Sequence, residues 1–125
     1  MKPKSFKSKH KNIPLPVFFP DATRAVLKTL DSADIESTQT PGILVNTWHL
    51  YRELGKDIFK KFDGVREFMD WDHGLISDSG GFQVMSIVKK IDGKGAITDE
   101  GVTFRLNKNR KVMFTPEKSV DFQWL

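Results

Sequence analysis

Short apolar runs alternate along the chain with breaks marked by proline, glycine and polar residues, and their spacing predicts alternating strands and helices. Val17-Phe18-Phe19 reads as a short strand ended by Pro20. Asp31 and Ser32 offer N-cap oxygens to a helix over Ala33–Ser37. Ile43-Leu44-Val45 is the continuous apolar run that a strand buried on both faces shows. In Asp57–Phe62 a helical spacing puts Ile58 and Phe62 on one face, and Val65–Met69 continues it after Gly64. Leu75-Ile76-Ser77 is the next strand, ending in a glycine-rich loop at Asp78-Ser79-Gly80-Gly81. Val102–Leu106 and Lys111–Phe114 flank Asn107–Arg110 as a β-hairpin. Thr115, Pro116 and Glu117 then open a helix with an N-cap hydroxyl, a proline at the first helical position and an acid facing the dipole.

Length limits what this pattern can build. The 125 residues hold one domain at most, and buried strands joined through helices belong to layered α/β folds. A β/α barrel takes about 250 residues, so this chain would supply only a few of its units. The absence of cysteine excludes a disulfide framework, a thiolate nucleophile and a cysteine-ligated zinc site within the chain. The net charge of +4 suggests a nucleic-acid-seeking domain until it is divided along the chain. Lys2, Lys4, Lys7, Lys9 and Lys11 hold five of the 20 basic residues, leaving 15 against 16 acidic residues from position 12 onward. Residues 1–12 therefore read as a lysine-rich, disordered tail, and 13–125 as the domain. Pro14, Pro16 and Pro20 interrupt the first apolar stretch, and no stretch approaches the roughly 20 apolar residues of a spanning helix. A cytoplasmic protein with no membrane partner is the expectation.

The segment Leu75-Ile76-Ser77-Asp78-Ser79-Gly80-Gly81-Phe82-Gln83 carries the chemistry. A carboxylate at the C-terminal end of a parallel strand sits where α/β enzymes react, and paired glycines let backbone N–H groups approach a ligand. Phe82 can stack on a flat heterocycle, while Gln83 offers a donor and an acceptor. Asp-Ser-Gly-Gly is also ordinary turn chemistry, with the aspartate capping its own loop. The same four residues surround the nucleophilic serine of chymotrypsin-like proteases, but Ser77 and Phe82 stand where those have glycine and proline, and the β/α alternation contradicts an all-β fold.

Six segments follow one another in a fixed order: Pro16–Pro20, Val45–Leu50, Phe68–Asp72, Asp78–Val84, Glu100–Arg105 and Pro116–Ser119. In that order and spacing they resemble the tRNA-guanine transglycosylases, also called queuine tRNA-ribosyltransferases, over the N-terminal third of the family's usual length. The resemblance implies the N-terminal portion of a TIM-like (β/α)8 barrel carrying a β-hairpin insertion, incomplete in this chain. It implies a zinc-containing enzyme, a homodimer in its full-length form, that exchanges an anticodon guanine of tRNA for a 7-deazaguanine. By resemblance Asp78 matches the family's proton-handling aspartate, the proton acceptor. Asp78, Ser79, Gly80, Gly81 and Phe82 match its base-binding segment, and Asn46 and Thr47 match positions that hold the aspartate while no base is bound. No metal ligand is assigned in this chain, because the nucleophile and the zinc ligands of the family lie past the point matching Leu125.

Asp21 departs from the pattern. Pro20-Asp21-Ala22-Thr23 stands where bacterial members commonly show Pro-Val-Gly-Thr, which makes Asp21 a candidate for base specificity through a cationic aminomethyl substituent. His49 reads as a packed residue, His73 as surface loop, and Trp48, Phe68 and Trp71 as core. Two function classes remain: an enzyme fragment without nucleophile and zinc site, and a truncated non-catalytic paralogue that binds tRNA or pairs with a relative.

Overall fold

The computed structural model describes residues 3–9, 11–90, 95–107 and 110–125, and it is a mixed α/β arrangement of three small sheets and six helices among those residues. The chain runs β1 (Ser5–Lys7), β2 (Asn12–Pro14), α1 (Ser32–Ser37), β3 (Gly42–Asn46), α2 (Thr47–Glu53), α3 (Lys56–Phe59) and α4 (Gly64–Met69). It continues through β4 (Gly74–Asp78), α5 (Gly81–Lys90), β5 (Ala96–Thr98), β6 (Gly101–Asn107), β7 (Arg110–Phe114) and α6 (Pro116–Gln123). None of these helices is long and apolar enough to cross a membrane.

The central feature is the parallel pair β3–β4, with Gly42 opposite Gly74 and Asn46 opposite Asp78. A third segment lies against the other edge of β3. Leu44 N–H donates to Pro20 O at 2.9 Å and Ala22 N–H donates to Leu44 O at 2.7 Å, which makes a parallel bridge between Asp21 and Leu44. The predicted strand at Val17–Phe19 is thus displaced by three residues, and Phe18 is 80% exposed. Along this segment the N–H that donates to Leu44 of β3 is that of Ala22, past Pro20, which has none to give.

Side-chain alternation divides the two faces of this sheet. Ile43 and Val45 point into a core with Ile35, Leu50, Phe59, Met69, Trp71 and Phe122, supplied by the surrounding helices and loops. Leu44 is only half-buried and Ile76 is 42% exposed, because both stand on the opposite face. The run 43–45 is therefore buried on one face, where the sequence predicted two. The described strands do not close into a barrel.

A second core joins α2 and α5 to the antiparallel sheet β5–β6–β7. Trp48 fills its centre, in edge contact with Phe104 at 4.6 Å and Phe114 at 5.3 Å between ring centroids. The β6–β7 pairing matches the hairpin predicted by the sequence, with Val102 opposite Phe114. Its predicted turn residues 108 and 109 lie outside the described residues.

The helices follow their caps. Asp31 caps α1, accepting from Asp34 N–H at 2.8 Å while its own N–H reaches the Asp34 carboxylate at 3.1 Å. Thr115 caps α6 by accepting from Lys118 N–H at 3.2 Å. The stretch read as one helical face through Ile58 and Phe62 is broken instead. Helix α3 ends at Phe59, which is the buried residue, and α4 restarts at Gly64 with φ +89°. A left-handed residue cannot continue a right-handed helix. Phe62 remains partly exposed, edge-on to Phe68 at 5.3 Å.

At the N terminus, β1 and β2 pair as an antiparallel hairpin with Phe6 opposite Ile13. The lysine-rich stretch predicted as a disordered tail over 1–12 thus carries a strand and the start of a second. Ile13 is buried over Gly74, at the N-terminal end of β4, and Lys11 Nζ reaches Asp72 at 3.2 Å. Hydrogen bonding to that ammonium, with Arg66 and His73 adding positive charge, holds the Asp72 carboxyl below its ordinary range. His73 is half-buried and tied to Glu36 and Lys11, so it is a junction more than a surface loop.

Candidate functional site

The C-terminal ends of β3 and β4 bring Asn46 and Asp78 side by side. Asn46 Nδ2 donates to Asp78 Oδ2 at 2.6 Å, and Gly80 N–H donates to Asp78 Oδ1 at 3.2 Å. Both carboxylate oxygens are therefore held, each with lone pairs to spare. Asn46 does two jobs, since its Oδ1 also accepts from His49 N–H at 3.2 Å and caps α2. An N-cap asparagine at the end of one strand thus fixes the carboxylate at the end of the next.

Thr47 belongs to the same assembly from the other face. Its Oγ1 lies 2.7 Å from Ser77 Oγ, and Ser77 is also held from α6, where Gln123 Nε2 donates to Ser77 O at 3.0 Å and Oγ at 3.3 Å. Ser119 Oγ reaches Ser79 O at 3.5 Å. Nothing in the sequence marks Ser77, Ser119 and Gln123 for this contact, because partners 40 and 46 residues apart leave no periodic signal.

The glycine-rich loop is shorter than predicted. It ends at Gly80, and Gly81 and Phe82 form the first turn of α5, with Val84 N–H donating to Gly80 O at 3.0 Å. Ser79 Oγ accepts from Gly81 N–H at 3.3 Å. Phe82 is 76% exposed, free to present its ring to a planar ligand. Val84, Ile87 and Val88 at helical spacing were the available sign of this helix.

Asp21 is not drawn into this cluster. It faces the same side of the sheet as Asp78, but pairs with Leu44, two residues earlier along β3 than Asn46. Two strand spacings and two residues of rise separate the Asp21 and Asp78 backbones by roughly 12 Å. Asp21 accepts from Thr23 Oγ1 at 2.5 Å and lines a cleft of about 830 Å³ with Thr23, Arg24, Lys28 and His49. His49 is half-buried, its Nδ1 3.8 Å from Glu53 Oε1, which agrees with a packing role.

The arrangement suits proton exchange with a nitrogen heterocycle. A fixed carboxylate at a strand end, flanked by backbone N–H groups and an exposed aromatic ring, can accept an N–H proton and bind a flat base. It offers no metal cage. The chain has no cysteine, and the described residues contain no cluster of three or more His, Asp or Glu side chains that could hold a metal ion. The zinc implied by the family resemblance does not fit the donors of the described residues.

Comparison with known proteins identifies the family. A sequence model described as queuine tRNA-ribosyltransferase matches residues 4–125. The queuine tRNA-ribosyltransferase of Streptococcus thermophilus (strain CNRZ 1066) is 39% identical over 115 residues, covering 91% of this chain and 29% of the relative. That of Pediococcus pentosaceus is 40% identical over the same length. The Natranaerobius thermophilus protein of the same name is 39% identical over 118 residues, 94% of this chain and 31% of its own. The chain spans about three-tenths of the length of these curated relatives. A match running through both cores and the Asn46–Asp78 pair places one conclusion beyond argument from motifs: the chain belongs to the queuine tRNA-ribosyltransferase family.

Proposed function

We propose that this chain carries the base-binding and proton-handling part of a tRNA-guanine transglycosylase site, within the N-terminal portion of a TIM-like (β/α)8 barrel. The observation that carries the reading is the Asn46–Asp78 pair at the ends of adjoining parallel strands, the pole at which β/α barrels do their chemistry. The exposed sheet face bearing Ile76 supports the barrel, since further strands closing over it would bury that face as the helices already bury Ile43 and Val45 on the other.

The substrates in this reading are a tRNA, which gives up an anticodon guanine, and a 7-deazaguanine that replaces it by ribosyl transfer. Asp78 gives a proton as guanine departs and takes one as the new base bonds to the ribose, so the exchange is proton-neutral. Asn46 holds Asp78 until a base arrives, Thr47 braces the strand through Ser77 and does not bond Asp78 itself, Ser79, Gly80 and Gly81 offer backbone contacts, and Phe82 stacks on the ring. In this reading the carboxylate that carries the ribose and the zinc site lie outside this chain. A homodimer of the complete enzyme is part of the same reading.

Asp78→Asn separates this enzyme from a non-catalytic tRNA-binding module. Incorporation of labelled guanine into tRNA by the complete enzyme that contains this segment is expected to fall by at least 100-fold, the scale of a lost acid-base group, with tRNA affinity within twofold. Full exchange in the variant would remove Asp78 from the chemistry. Asp21→Val tests the specificity assignment. It is expected to cost roughly fivefold of any preference for a cationic aminomethyl base over an uncharged one, the worth of an exposed ion pair. Unchanged ratios of kcat/KM across 7-deazaguanines would remove Asp21 from that role.

A further inference from the structure

Asp78 is held from in front by Asn46 and Gly80, but its strand is also gripped from behind. Ser77 and Ser79 flank Asp78 in the chain, and both have their backbone carbonyls engaged by α6. Gln123 Nε2 donates to Ser77 O at 3.0 Å and to Ser77 Oγ at 3.3 Å, and that hydroxyl lies 2.7 Å from Thr47 Oγ1. Thr47 follows Asn46 directly, so the Gln123 amide ties together the two strand ends that carry the Asn46–Asp78 pair. Helix α6 is itself fixed, through buried Phe122 packed edge-on against Tyr51 of α2 at 5.7 Å and Phe59 of α3 at 5.4 Å.

We infer that Gln123 is a positioning residue, fixing the aim of the Asp78 carboxylate by clamping Ser77 from the helix side of the sheet. The inference rests on the reading of Asp78 as the proton-handling group. The Gln123 side chain spans strand end and helix, is largely exposed, and contributes no apolar packing to either core. Its loss should loosen β4 at its last residues without unfolding the domain. A carboxylate displaced by about 1 Å from its reacting partner loses up to 100-fold in rate.

The test compares Gln123→Met, which keeps length but lacks the donor, with Gln123→Glu, which keeps the acceptor, and with Asp78→Asn. Labelled-guanine exchange, tRNA binding and thermal melting are measured on each in the complete enzyme that contains this segment. The inference expects both Gln123 variants to lose at least tenfold in kcat, with KM for tRNA within twofold and melting within a few degrees of the parent, while Asp78→Asn abolishes exchange. Exchange within twofold of the parent in both Gln123 variants, beside an inactive Asp78→Asn, overturns the clamp and leaves the role of Asp78 standing. An active Asp78→Asn overturns that role and the clamp with it. Loss of cooperative melting in both Gln123 variants also overturns the clamp, since α6 would then be holding the fold and not the carboxylate.

Discussion

Gly80→Ala is expected to destabilise the protein by about 3 kcal/mol and to scatter the Asn46–Asp78 pair in the same stroke. Gly80 has φ +75°, where a side chain costs about 1–2 kcal/mol. A Cβ there would lie 2.3 Å from Trp48 Cβ and 2.9 Å from Asn46 Oδ1. Neither neighbour can yield, because Trp48 is fully buried and Asn46 is committed to Asp78 and to the cap of α2. Relief of such a clash by backbone movement typically adds about 1–3 kcal/mol. Denaturant unfolding of the variant beside the parent measures the loss. A change below about 0.5 kcal/mol, the range of innocuous surface substitutions, would mean that the loop accepts a Cβ and that its close approach to α2 is wrong.

Trp48→Ala is expected to cost more, about 3–5 kcal/mol, the range for emptying a large aromatic site. Trp48 has no exposed surface and touches Phe104, Phe114 and Tyr51, so it joins α2 to the antiparallel sheet. Domain stabilities of about 5–15 kcal/mol leave little margin for that loss. Trp48→Phe makes the informative contrast. The indole Nε1 is buried with no hydrogen-bond partner, so phenylalanine removes an unsatisfied donor along with part of the ring. Its cost should stay well below that of Trp48→Ala, since phenylalanine keeps an aromatic ring and leaves the smaller cavity. Melting temperatures of the two variants check both statements, and equal losses would deny Trp48 its place at the centre of that core.

The parts of the fold legible in the sequence were those whose signals are local. Asp31, Thr115 and Pro116 announced their helices through capping chemistry, and the runs at 43–45 and 75–77 announced the parallel strands. Helix α2 was passed over because Asn46-Thr47 reads equally as a turn, although Trp48, Tyr51, Leu50 and Leu54 carry helical spacing. The lysine-rich start was misjudged from composition. Its order comes from Ile13 settling over Gly74 and Lys11 meeting Asp72, contacts made with residues some 60 positions away. At the site, Asn46, Asp78 and Gly80 are named by the motif and are hydrogen-bonded together, whereas Thr47, expected to hold the aspartate, bonds Ser77 on the other face. Their supports from α6 were invisible, since only the tertiary structure brings residues 119 and 123 behind Ser77 and Ser79.

The spacing of the Asn46–Asp78 contact has a consequence for how the protein comes to possess its chemistry. The two residues stand 32 positions apart, with α2, α3 and α4 between them. Closing so long a segment costs chain entropy before the hydrogen bond returns anything, and parallel pairing through a crossover is slow for that reason. A nascent or partly unfolded chain can cap α1 or form the β6–β7 hairpin from neighbouring residues alone. It cannot assemble this pair by any local route. The carboxylate is oriented only in molecules that have completed the crossover, so a misassembled chain lacks the oriented Asp78 on which the proposed chemistry depends.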